Sequence, residues 1–345
     1  MNGAREGCAL KDRITDIIVY IIAASAYCFV CLYLPYAYPK LPNGYFRSFE
    51  VVIPSGASAG AAARLLEEAG VVDDAGALVR EMARSGLDRK IKPGLYTLRR
   101  STPRGAVKQL EKAKPVVERA ALIPGSRFDR LASLFAEEGV TAADFYSAMA
   151  KAENFCEPVR KWLPEDVRAR MVFLLPETYF VAPGPAVADG FIASASRLWF
   201  ERVGKDIPED TSANDVLMRG VLASVVEGEA RVAEERPILA GIFLKRIEKK
   251  MRLQSCATVI YCWAERGEKK TALTYKDLEI DSPYNTYRND GLPPGPICVP
   301  SESSWKSALA PQETEYLFFF ADGRGRHIFS RTYGEHIAKQ RGMTR

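Results

Sequence analysis

The chain has 345 residues, 47% hydrophobic and 26% charged, a balance that excludes both a disordered chain and a polytopic membrane protein. Its net charge of +5 is small for this length and carries no signal of nucleic-acid binding. Only two histidines are present, His327 and His336, which argues against a multi-histidine metal centre.

In chain order, the first feature is a charge-free apolar run from Ile17 to Leu34, continued by Tyr36 and Tyr38. About 20 such residues span a bilayer, so residues 17–38 read as a transmembrane helix with residues 1–16 in the cytoplasm. The short N-terminus and long C-terminal part favour an exported body. A cleaved signal peptide is the rival, with Ala24-Ser25-Ala26 imitating a cleavage site, but the apolar character continues well past it. Of the seven cysteines, Cys156, Cys256, Cys262 and Cys298 fall in the exported part, where either disulfides or buried free thiols are possible; their spacing matches no zinc pattern.

Next, Phe49 to Ile53 reads as a strand entering a turn at Pro54-Ser55-Gly56. Helices follow over Ala59–Ala69, stopped by Gly70, and Ala75–Ser85, and a strand returns at Pro93–Leu98. This β-α-α-β pattern, placed at residues 46–116, resembles a LysM-like glycan-binding module, with a plain α/β spacer as the alternative. Ile53-Pro54-Ser55-Gly56 is loosely echoed by Ile123-Pro124-Gly125-Ser126, and similar helical residues follow each, which suggests a duplicated strand-turn-helix unit.

The remaining 117–345 reads as one further region. Ala193–Val203 predicts a helix with Trp199 and Phe200, and Ser212 or Asn214 caps a helix carrying Glu227. Pro237–Lys250 predicts another, with Ile238, Gly241, Ile242 and Ile247 as its apolar face. Tyr316–Ala321 reads as a buried strand, paired across the turn at Asp322–Gly325 with Arg326–Ser330.

Asn214 to Arg231 on a helix at ~100° per residue places Glu227 beside Gly220, Ala223, Ser224 and Arg231. Such a small-residue stripe leaves room for a bulky ligand. Glu229 falls on the opposite side, among Met218, Leu222, Val225 and Val226, and is the carboxylate the wheel desolvates more. Periodicity alone leaves open which of the two acts.

Downstream lie Glu234-Glu235-Arg236-Pro237, Gly241 to Ile247, Leu253 to Tyr261, Ser282-Pro283-Tyr284-Asn285-Thr286-Tyr287, Gly291-Leu292-Pro293-Pro294 and Ala321-Asp322-Gly323. With Ala223 to Glu229, these blocks resemble in order and spacing the YceG-like endolytic murein transglycosylases. The resemblance departs at one block, usually Gln-x-Asp-Pro-Thr-Val-x-Tyr-Gly, where Cys256, Ala257 and Cys262 replace the acid, the proline and the glycine.

The resemblance implies an α+β fold: an N-terminal transmembrane helix, a LysM-like βααβ module and a C-terminal lytic transglycosylase domain. It implies a lyase that cuts the bond between N-acetylmuramic acid and N-acetylglucosamine inside nascent peptidoglycan strands and closes a 1,6-anhydro ring. Catalysis falls on Glu227, first as acid and then as base. Beside this, Tyr284 and Tyr287 offer ring faces for sugars, and Gln254 and Asn285 offer donors to acetamido or hydroxyl oxygens. Packing anchors in a Pro-rich loop are the alternative for the tyrosines. Ser224 and Glu229 complete the expected sugar contacts, and no metal or organic cofactor is required. The implied partners are glycan strands, the inner membrane and peptidoglycan synthases, with the catalytic region periplasmic. A muramidase that uses water, and an inactive glycan-binding scaffold, are the alternatives. His327 reads as structural or as a support to the site.

Overall fold

The computed structural model describes residues 19–29, 47–54 and 56–343. It is α+β, 51% helix and 9% strand, and its three sheets are all two-stranded antiparallel pairs. Residues 19–29 form an exposed helix, α1. Among the described residues no helix is long and apolar enough to cross a membrane. The rest of the expected anchor, 17–18 and 30–38, lies outside the described residues.

Strand β1 (Ser48–Ile53) pairs with β2 (Gly94–Arg99), Ser48 facing Arg99 and Ile53 facing Gly94. Between them run α2 (Ala59–Glu68), capped by the Ser58 hydroxyl, and α3 (Ala75–Ser85), capped by Asp74 and ended by Gly86 in the left-handed region at φ 72°. A further helix, α4 (Pro103–Lys112), begins where Thr102 caps and Pro103 takes the first helical position. Val51, Ile53, Leu66, Leu78, Met82, Leu98 and Leu110 close a core of their own. The β-α-α-β order and its bounds match the sequence pattern to within one residue, while α4 was not anticipated.

The echo at residues 123–126 does not build a second such unit. Strand β3 (Glu118–Ala121) pairs with β4 (Thr178–Val181), far along the chain, and the short α5 (Phe128–Ala132) joins the large core instead. Helix α6 (Ala142–Ala150) carries a capping box, Thr141 with Asp144. Helix α7 (Val187–Arg202) starts six residues before the predicted start, bringing Phe191 and Trp199 inward. Trp199 meets Phe173 at 4.9 Å and Trp305 at 5.2 Å, both edge-on, each such pair worth about 1 kcal/mol beyond its burial.

Helix α8 (Ala213–Glu229) runs through this core, capped by Ser212, and Val221 to Val226 are all buried. Helix α9 (Arg236–Glu248) buries Leu239, Ala240, Ile242, Phe243 and Arg246, so its inner face is turned from the predicted one. Gly241 sits elsewhere on α9, where a Cβ would come within 2.1 Å of the Gln312 carbonyl oxygen. Three unanticipated helices follow: α10 (Cys256–Glu265), α11 (Glu302–Leu309) and α12 (Tyr333–Met343). Strands β5 (Phe318–Ala321) and β6 (His327–Ser330) form the predicted hairpin, half-buried rather than buried.

Candidate active site

The small-residue stripe on α8 does not face open space. It packs on α11: a Cβ on Gly220 would lie 2.9 Å from the Trp305 ring. Ser224 is fully buried, its hydroxyl donating to the Val221 carbonyl and accepting from the Ile297 N–H. Glu227 lies on that same side, its side chain only 7% exposed. Its Oε2 accepts from the Ser301 N–H at 2.9 Å, the Ser304 hydroxyl at 2.7 Å and the Ser301 hydroxyl, and Oε1 faces the Arg236 guanidinium at 3.4 Å. Four donors, two of them backbone or side chain of the α11 cap, are the surroundings of an anchored carboxylate. Glu227 therefore ties α8 to α9 and α11.

Glu229, the last residue of α8, takes a different course. Its Oε1 accepts from the Ser255 hydroxyl and from the Ala257 N–H at 3.1 Å, one of the free donors at the start of α10. Among the described residues Oε2 takes no hydrogen bond and no cation pairs with the group. Gly228 permits this approach, since a Cβ there would fall 2.7 Å from the Ala257 Cβ. Glu229 projects into a cleft of about 490 Å³ walled by Gln254, Cys256, Tyr287, Arg246 and His327, with the β5 phenylalanines behind; Glu227 does not line it.

Of the residues expected to meet sugar, the structure brings together Glu229, Gln254 and Tyr287. Gln254 is exposed and sits at φ 48°, an uncommon conformation for a side chain of its type, held by its N–H to the Thr286 carbonyl at 3.0 Å. Asn285 is placed elsewhere: fully buried, its amide donates to the Leu278 and Ile280 carbonyls. Tyr284 packs on Tyr261 at 4.8 Å, also outside the cleft. Ser224, Asn285 and Tyr284 thus shape the scaffold rather than the cleft wall.

Cys256, where the family pattern has an acid, is exposed with its Sγ 3.2 Å from the Tyr287 hydroxyl. Desolvation of Sγ at the cleft wall outweighs the hydrogen bond to Tyr287 and, with Glu229 adding to it, pushes the thiol up, so the position is an uncharged thiol near neutral pH. Cys156, Cys256, Cys262 and Cys298 are all free, and the Cys256 to Cys262 crosslink does not form. Burial pushes the Tyr287 phenol far above its usual range, which leaves it a neutral hydrogen-bonding group.

Sequence reasoning missed Arg246. It is 5% exposed, reaches the Leu317, Arg252 and Leu253 carbonyls, and lies over the Phe318 and Phe319 rings at 5.5 and 5.9 Å. Burial depresses its pKa from that of a free guanidinium. The available signal was its spacing, four residues after Ile242 and so on the same side of the helix as that apolar position. A second groove of about 510 Å³, beside the Pro124–Arg130 turn, is lined by Asp129, both of whose oxygens accept from Arg127, and by Glu268, which pairs with Lys270. Both carboxylates are more than half exposed, unlike Glu229. The Glu229 cleft is therefore the candidate site.

The chain matches the YceG-like family over residues 51–342, which includes the βααβ unit and every element around this cleft. The chain belongs to the YceG-like family. Among its relatives is an endolytic murein transglycosylase of Bacillus subtilis (strain 168), 32% identical over 302 residues, 82% of this chain and 81% of the relative. An endolytic murein transglycosylase of Streptococcus pneumoniae serotype 2 is 27% identical over 300 residues, 79% of this chain but 54% of that longer protein. A crystal structure of a YceG-like protein from Listeria monocytogenes superposes with a TM-score of 0.52 at 28% identity, covering 85% of this chain and 99% of that one. The YceG-like fold thus extends across the βααβ unit and the cleft-bearing region alike.

Proposed function

We propose that this YceG-like protein is an endolytic murein transglycosylase and that Glu229, not Glu227, is its acid and base. The observation that carries the reading is the Glu229 carboxyl group, fixed at Oε1 and open at Oε2 in a polar, aromatic cleft. With the proton on Oε2, the hydrogen bonds at Oε1 persist in both the acid and the carboxylate form.

The step balances with one carboxyl group. Glu229 gives its proton to the glycosidic oxygen as the bond to the muramyl C1 breaks, and N-acetylglucosamine leaves with a free 4-hydroxyl. The muramyl 6-hydroxyl oxygen then bonds to C1, and its proton passes to the Glu229 carboxylate, restoring the acid. No water enters, so no second carboxylate is needed to activate one, unlike an inverting hydrolase. Tyr287 and Gln254 supply a ring face and an amide for the sugars flanking the bond.

The finer features belong to the same reading. The run at residues 17–38 anchors the chain with residues 1–16 in the cytoplasm, which puts the cleft beside nascent strands on the exported side. The βααβ unit, in its place at residues 46–116, is LysM-like and holds glycan. Residues 117–345 form the catalytic region, and its partners are glycan strands, the membrane and the synthases that make the strands.

The test is the mass of the products. The full-length chain, incubated with purified peptidoglycan, should release fragments ending in 1,6-anhydro-muramic acid from internal positions. Reducing ends, heavier by one water, would make it a muramidase, and intact sacculi would make it a scaffold.

A further inference from the structure

Glu235 ends the short turn before α9 and is buried, 6% exposed. Its carboxylate is spent on one residue. Both oxygens accept from the His327 backbone N–H, at 3.1 and 3.2 Å, and Oε2 lies 2.7 Å from His327 Nδ1. Among the described residues no lysine or arginine pairs with it. A carboxylate so buried is tolerated only where what faces it donates, so Nδ1 carries a proton. The partner of one ring nitrogen decides what the other can do.

His327 starts β6 opposite Ala321, and the turn between them is locked by Asp322 Oδ1, which accepts from the Arg324 and Arg326 N–H groups at 2.7 and 3.0 Å. The ring is gripped edge-on by Phe319 at 5.3 Å. His327 forms part of the wall of the Glu229 cleft. Its Nε2 bonds to no described protein atom and is not among the sealed polar atoms.

We propose that His327 is a sugar-binding residue of this cleft and Glu235 its positioning residue. Glu235 fixes the proton on Nδ1, and bare Nε2 accepts a hydrogen bond from a saccharide hydroxyl. The inference rests on the cleft being the glycan site.

Glu235→Gln separates the two roles. An amide offers one acceptor and one donor where the carboxylate had two acceptors. With its oxygen on the His327 N–H, its NH₂ faces Nδ1, which must then accept, and the ring proton moves to Nε2. The sugar acceptor becomes a donor, much as an amide at a catalytic triad's carboxylate selects the wrong tautomer. His327→Asn keeps a donor near Nδ1 and deletes the distal nitrogen.

The chain's two histidines give a ring ¹⁵N spectrum of two imidazoles, which a His336→Gln variant assigns. In the full-length wild type the His327 signal should show Nδ1 protonated and Nε2 bare. Adding soluble uncrosslinked glycan strands to a Glu229→Gln chain should move the Nε2 signal. Both His327→Asn and Glu235→Gln should raise KM for those strands roughly two- to tenfold, the worth of one neutral hydrogen bond, with the melting temperature nearly unchanged. A proton on Nε2 in the wild type, or an Nε2 signal and a KM indifferent to strands and substitutions, overturns the proposal. Should Glu235→Gln fail to fold, the wild-type spectrum and His327→Asn still decide. A wild type that forms no anhydro ends would fell the glycan reading itself, whereas normal cleavage with an unchanged His327→Asn fells only this inference.

Discussion

The two glutamates at the end of α8 lie two residues apart and have opposite surroundings. Glu227 is enclosed by Ser301, Ser304 and Arg236, whereas Glu229 shows one oxygen to the cleft. Replacing Glu227 with Gln leaves a nearly buried guanidinium without its counter-charge and turns an NH₂ toward groups that all donate. Removing one partner of such a pair costs about 3 kcal/mol, so Glu227→Gln should show that loss in denaturant unfolding, and an unchanged midpoint would show that the network contributes little. The helical wheel separated these residues correctly but not what faced them. Glu227's partners Ser301 and Ser304 lie 74 and 77 residues away, in a short polar helix with no apolar period to announce it. The apolar side on which the wheel placed Glu229 was the side that reaches α10 and the cleft.

Elements were legible where their signals were local. The bounds of α2 and α3 follow from apolar spacing and from Gly70 and Gly86, whose left-handed conformations stop the helices. What the sequence did not disclose was contact: that α11 covers the small stripe of α8, or that the start of α10 receives Glu229. Gly228→Ala tests that second junction. Its new methyl would meet the Ala257 Cβ at 2.7 Å, pushing the end of α8 off α10. Overpacking of this kind costs about 1–3 kcal/mol; turnover of the protein that remains folded should fall with it, and a fully active variant would mean Glu229 needs no such seating. The loop after α10 offers a pH test. Asp277 accepts from the Thr274 N–H and hydroxyl and pairs with Lys270, which together hold its carboxyl down at about 2 from an ordinary 3.8. A depressed folded value means the contribution is complete above the unfolded value and fades as pH falls from about 4 toward 2. Asp277→Asn should flatten the stability curve in that window, and parallel curves for the two proteins would contradict the assignment.

At the scale of the whole molecule, the βααβ unit closes a core separate from the one around the cleft. The separate core means that deleting residues 46–116 should spare cleavage of short soluble glycans, and on the proposal that the unit holds glycan it should weaken binding to sacculi; unchanged sacculus binding would reduce the unit to a spacer. Family membership was readable from the order of the motif blocks, and several of them converge on one site: Glu229 from α8, Arg246 from α9, Gln254 and Cys256 from the approach to α10, Tyr287 from the loop beyond it, and Ala321 from the last hairpin, where His327 follows. Ser224, Asn285 and Tyr284 belong to the same blocks and build the frame instead. Motif order reveals which segments converge, and only packing reveals which side chains reach the open space.

Which carboxyl group reacts decides the chemistry of the cleft. The most direct measurement is the yield of 1,6-anhydro ends from peptidoglycan by Glu229→Gln and Glu227→Gln proteins, per folded molecule and at a temperature where both are native. Loss of general acid–base catalysis costs roughly 10²- to 10⁴-fold, so Glu229→Gln should fall to the assay floor at near wild-type stability, while folded Glu227→Gln still forms anhydro products. A silent Glu227→Gln beside an active Glu229→Gln would contradict the account and return the chemistry to the buried carboxylate.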